Sequence, residues 1–184
     1  MKPIWLEDRY LNSDPRLRRL LAVADKARER VVVALSEAGK LGNRPGGGAF
    51  AAAIFRAENA GESVGPETMG NISEEKVPIY IRCCAEKLLR TLVRMLRCSF
   101  MDADEKKWQY GGAIRLLEFV LSFSAFPPDA DEAVGILTTV WSFGSQMTQV
   151  QISNLRRSNE VLQLIPDEEL VERSDLWPAE SVAS

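Results

Sequence analysis

The sequence predicts an all-α fold: one domain, a helical bundle of about four long helices with short ones between them. Three observations lead there. Four segments carry apolar residues at the spacing of an amphipathic helix. No segment sustains the apolar–polar alternation of a half-buried strand. No hairpin turn joins two runs rich in β-forming residues.

Residues 1–13 (MKPIWLEDRYLNS) form an arm with no clear period. Its Trp5, Leu6, Tyr10 and Leu11 are large apolar groups that need a docking place, on the same domain or on a neighbouring copy. Asp14-Pro15 reads as a helix start, with a capping oxygen before a proline at the first helical position. Leu17, Leu20, Leu21, Ala24, Ala27, Val31, Leu35 and Ala38 follow at helical spacing, and Gly39 ends the run. The outer face mixes Arg18, Asp25, Lys26, Glu29, Arg30 and Glu37, the pattern of charge facing water. Residues 39–72 read as a flexible loop holding at most one short helix, over Ala49 to Glu58. Gly46-Gly47-Gly48 lacks the lysine and the serine or threonine of a phosphate loop, so it reads as linker.

Pro78 opens the most strongly patterned helix, Ile79 to Phe100. At about 100° per residue, Lys87, Arg90, Arg94 and Arg97 fall within an arc of roughly 80°. Ile81, Ala85, Leu88, Leu92, Met95 and Leu96 fill the opposite side. The pattern predicts a cationic ridge outside and an apolar face inside. Guanidinium groups one turn apart suit phosphates or carboxylates, which they bind bidentately. A solvated face, with long stems lying over apolar neighbours, is the other reading.

Asp102 or Asp104 caps the next predicted helix, which runs to about Ala125. Its Leu116, Leu117, Phe119, Val120, Leu121, Phe123 and Ser124 cover a wide arc and predict the most buried helix. Pro127-Pro128 forces a break. Asp129 then caps a long final helix, from about Ala130 to Leu164, ended by Pro166. On it Thr138, Thr139, Ser142, Ser145, Gln146, Gln149 and Ser153 share a side without charge. Such a face points to another helix or subunit; shielding within one monomer is the alternative. Residues 166–184 form an acidic tail, in which Leu170, Val171, Leu176 and Trp177 stand among acids like a groove-docking peptide.

Composition bounds the function. At 184 residues, 46% hydrophobic and 27% charged, the chain suits one soluble domain with a real core. The net charge of −3 hides a tail at −5, six acids against Arg173, and a body of residues 1–165 at +2. Cys83, Cys84 and Cys98 lack the spacing of a disulfide framework and point to thiols in a reducing, cytoplasmic setting. Lys2, Glu7, Asp8 and Arg9 interrupt any signal-peptide pattern. The longest uncharged run, Ala133 to Leu155, is too rich in Gly, Ser, Thr, Asn and Gln for a membrane span.

The chain has no histidine, the usual acid–base catalyst. The tetrapeptide Asp-Ala-Asp-Glu occurs at Asp102 and again at Asp129, where it caps helices rather than opening a calcium loop. No cofactor or metal is expected. The sequence therefore points to a non-enzymatic, self-associating helical protein with an anionic partner, foremost the backbone of RNA. The expected contacts are Lys87, Arg90, Arg94 and Arg97, extended by Arg156 and Arg157. A viral or phage structural or accessory protein would fit. The alternative is a protein-interaction module, such as an effector, chaperone or inhibitor, using its basic face or acidic tail. Trp5, Tyr10, Thr138, Ser142, Gln146, Gln149 and Trp177 are the expected interface residues.

Overall fold

Asp14 opens the first helix as the sequence predicts: its carboxylate accepts the Arg16 N–H at 2.8 Å, and Pro15 takes the first helical position. The computed structural model describes residues 13–43, 46–56, 59–104 and 109–176. Its elements are α1 (Pro15–Glu37), β1 (Gly48–Arg56), β2 (Asn59–Met69), α2 (Val77–Val93), β3 (Ala113–Leu116), β4 (Phe119–Ser124), α3 (Pro128–Phe143) and α4 (Gln149–Ser158), with short 3-10 turns. The strands form one antiparallel sheet in the order β2-β1-β4-β3. The all-α bundle expected from the sequence is thus corrected to a mixed α and β fold.

The strands escaped notice because the two central ones are buried on both faces. Along β1, Phe50, Ala52 and Ile54 join the core with α1 and α3, while Ala49, Ala51 and Ala53 face α2. Along β4, Phe119, Leu121 and Phe123 point to the first side and Val120 to the second. Along β1 alternation survives as large against small, so it reads as a continuous apolar run, and in β4 only Ser122 and Ser124 mark the second side, too short a signal to stand out. The edge strand β2 carries Gly65-Pro66, where its register with β1 shifts. Proline is tolerated there because an edge strand has backbone groups outside the ladder. Gly65 has φ +82°, and a Cβ on it would lie 2.5 Å from the Phe50 carbonyl oxygen. The β3–β4 hairpin turns on Leu117 and Glu118, with Leu117 at φ +52°. A leucine in that conformation advertises no turn.

α2 ends at Val93 rather than near Phe100. Met95 adopts φ +52°, and the Leu96 N–H reaches back to the Thr91 carbonyl at 3.0 Å. This is the left-handed helix stop that glycine normally fills. Cys98 and Arg97 then run beside β3, with the Arg115 N–H donating to the Arg97 carbonyl at 2.7 Å. The predicted final helix is also two. α3 stops at Phe143, a 3-10 turn follows at Gly144–Gln146, and a Thr148–Gln151 capping box starts α4.

The predicted acidic tail is partly built into the domain. Glu169 pairs with Arg30, and Glu172 with Arg19, both on α1. The Trp141 indole donates to the Glu169 carbonyl at 2.6 Å, and Leu170 is buried. No helix among the described residues is long and apolar enough to cross a membrane.

Candidate interaction surface

Among the described residues α2 is the one helix packed on its side of the sheet, and its orientation decides which residues meet water. Cys84, Lys87, Leu88 and Thr91 are buried against the sheet, at the i, i+3, i+4, i+7 spacing of one helix face. That face is turned by roughly 70° from the apolar one the sequence defines, taking about 100° per residue. Lys87 and Arg90, expected on the outside, are drawn inward. Leu89 and Val93 are left out.

Each buried cation has a set of partners. Lys87 is 2% exposed. Its ammonium donates to Asp131 Oδ2 at 2.7 Å and to the Phe123 carbonyl at 2.9 Å. The other oxygen of Asp131 accepts the backbone N–H groups of Ala125 and Phe126, at 3.1 and 2.8 Å. This pair fastens α2 to the start of α3 across the end of β4. Burial pushes the Asp131 carboxyl up to about 6, against the pull of Lys87 and the two amides. Gly112 makes room for it: at φ +106°, a Cβ there would come within 2.6 Å of the Asp131 Cβ. Arg90 holds Glu86 at 2.6 Å, the Ser99 carbonyl at 2.9 Å and the Tyr110 carbonyl at 2.5 Å, which ties the segment after α2 back to the helix. Beside Lys87 and Asp131 opens a cleft of about 200 Å³, lined by Tyr80, Cys83, Tyr110 and Phe126. The Cys84 thiol, fully buried, is pushed up to about 12 by that burial and stays protonated at neutral pH.

The outer side of α2 is apolar where the sequence places water-facing charge. Leu89 is 57% exposed, Val93 77% and Met95 61%. A shallow trough of about 550 Å³ runs along Leu89 and Val93, with Arg82, Ala85, Glu86 and Arg94 also in its lining. Arg82, Glu86, Leu89 and Val93 follow one another at steps of four, three and four residues, a straight row on one helix side. Arg82 and Arg94 stand about 18 Å apart along the axis, and Glu86 between them is held by Arg90. Arg97 is exposed just beyond the helix.

Other expected site residues lie elsewhere. Arg94 and Arg97 are exposed, but Lys87 and Arg90 are not beside them on the surface. Arg156 sits on α4, where it meets Asp167 at 3.1 Å and the carbonyls of Gln163 and Ile165. With exposed Arg157 it lines a separate hollow, so neither extends a surface on α2. Thr138 and Ser142 are fully buried within α3, and Thr138 donates to the Val134 carbonyl at 2.7 Å. Their uncharged side is the packed interior of this domain rather than a contact with a second copy. Gln146 and Gln149 are exposed, on the turn and on α4. Trp5, Tyr10 and Trp177 lie outside the described residues.

The signal that was missed is Asp131. A carboxylate one turn into a helix reads as a dipole partner, and nothing local shows that Lys87, 44 residues earlier, would meet it. Comparison with protein-family models finds no match to the chain, and comparisons with curated proteins and with solved structures find none either.

Proposed function

We propose that this is a non-enzymatic protein-interaction domain, and that the outer side of α2 is its docking surface. The supporting observation is that exposed Leu89 and Val93 line one trough on the outer side of the helix. Large apolar groups gathered at the surface cost solvation unless a partner covers them. The cations around them select that partner. Arg82 and Arg94 line the trough beside the apolar row, so the surface takes a segment with apolar anchors and acidic flanks, in the helix-in-groove manner. Guanidinium groups at the rim steer such a segment, and the apolar centre holds it. A bare phosphate backbone would leave Leu89 and Val93 uncovered, which favours a protein partner.

The test is a photo-cross-linker, p-benzoylphenylalanine, placed at Val93 and, as a control, at exposed Lys40. Expected is one adduct of defined mass from Val93 and none from Lys40. The purified partner should then bind the intact chain, and Leu89→Asp or Arg82→Glu should weaken binding at least about tenfold, or about 1.4 kcal/mol. Equal labelling from both sites, or binding indifferent to both substitutions, overturns the reading. An adduct with a second copy of the chain replaces it with self-association.

A further inference from the structure

We infer that the cleft beside Lys87 and Asp131 is a second binding site, and that it takes a small neutral aromatic molecule bearing a carboxamide or lactam edge. The cleft shares no lining residue with the trough on the outer side of α2. It is a separate site, independent of the docking surface.

The polar groups define the edge that fits. Lys87 and Asp131 both line the cleft, yet only 2% and 3% of their side chains are exposed, so they form its buried end. An ammonium has three N–H donors. Among the described residues Lys87 uses two, on Asp131 Oδ2 and on the Phe123 carbonyl. Asp131 Oδ1 accepts the amides of Ala125 and Phe126, while Oδ2 accepts from Lys87. A carboxylate oxygen has room for a second hydrogen bond. A donor and an acceptor with spare capacity thus stand side by side, 2.7 Å apart. A carboxamide presents the matching pair: its carbonyl accepts from Lys87, and its N–H donates to Asp131.

Charge selects a neutral ligand. Lys87 and Asp131 already cancel in sum. A ligand carboxylate would add an uncompensated negative charge beside Asp131, nearly out of water, and a ligand cation would do the same beside Lys87. The walls select a flat ring. Tyr80, Tyr110, Phe126 and Pro128 line the rest of the cleft, and Phe126 stacks on Phe123 with centroids 5.4 Å apart, which holds its ring in place. Aromatic walls favour an aromatic guest, offset or edge-on. Size limits the guest to one ring. The cleft measures about 200 Å³, and a cavity of about 150 Å³ admits a benzene-sized molecule.

The experiment is an amide NMR titration of the full chain with benzamide, benzoate and toluene, which share a ring and differ in the group it carries. Expected is benzamide binding with a dissociation constant on the order of 0.1–1 mM, in the range of a ligand this small. The amides of Gly111 and Phe126 should move, and that of Gly39 should stay. Benzoate and toluene should each bind at least about tenfold more weakly, as the loss of one hydrogen bond to a charged group is enough to cause. Cys83→Phe puts a ring into the cleft without touching the ion pair, and should abolish binding while the rest of the spectrum stays folded. Lys87→Met with Asp131→Asn should bring benzamide down to the level of toluene; if that double variant does not fold, Cys83→Phe decides alone. Still amides at Gly111 and Phe126 well above that concentration, or binding that ignores Cys83→Phe, overturns the inference. Equal binding of toluene overturns it in favour of a plain apolar hollow. Equal or tighter binding of benzoate overturns it in favour of an anion site on Lys87.

Discussion

The two sides of α2 reverse the usual division between core and surface. The inner side buries Lys87, Thr91 and Cys84 beside Leu88, with Tyr80, Ile81 and Leu92 packed at its margins. The outer side carries Leu89 and Val93 in water. A helix normally turns its most apolar arc inward, so something offsets the cost of this orientation. The sheet face beneath is lined by Ala49, Ala51 and Ala53, which leave room for a closely packed helix. Asp131 and the carbonyls of Phe123, Ser99 and Tyr110 offer fixed partners that only Lys87 and Arg90 can use. Stripping a buried charge of its partner costs about 3–5 kcal/mol, more than the roughly 1.5–3 kcal/mol forgone by leaving a leucine in water. The inner side therefore sets the structure, and the outer side is left for binding.

The contrast can be broken most strongly at Lys87. Lys87→Ala leaves the Asp131 carboxylate buried beside two amides, and should destabilise the fold by about 3–5 kcal/mol in urea unfolding. The pair Lys87→Met with Asp131→Asn should recover most of that loss, since replacing both partners avoids the orphaned charge. A loss below about 1 kcal/mol for Lys87→Ala would mean that the pair does not fasten α2.

The second effect is pH dependence. Asp131 titrates at about 6 in the fold against 3.8 as its ordinary value, with burial the leading cause. A folded value above the unfolded one means that the fold binds more protons between the two. The contribution is then full below about 4 and is lost as pH rises through about 6, on the order of 3 kcal/mol in all. Glu132, next along α3, is also shifted up by burial, so the wild-type slope must be compared with that of Asp131→Asn. Equal slopes in that window would remove Asp131 as the source.

The smallest effect belongs to the outer side. Val93→Asp and Leu89→Ser should change unfolding free energy by no more than about 0.5 kcal/mol, as surface substitutions do. A loss of about 2 kcal/mol or more at Val93 would show that it packs within the free protein, and would move the variant from binding test to stability test.

How much could be read without the fold follows from where each residue finds its partner. The Asp14-Pro15 start of α1, its buried row from Leu17 to Leu35 and the break at Pro127-Pro128 rest on contacts within a few residues, and the sequence alone determined them. The tail acids were visible, but their pairing with Arg19 and Arg30 was not, because those partners lie 153 and 139 residues away. The strands were hidden because β1 and β4 are buried on both faces, and because Leu117 and Met95 take conformations that glycine usually announces. The cations of α2 were legible as a row. Which way the row faces was decided by Asp131 and the alanines of β1, which come beside the helix only once the sheet has formed. Local pattern specifies that a helix exists; the partners that fix its rotation are distant in sequence, and tertiary structure alone supplies them.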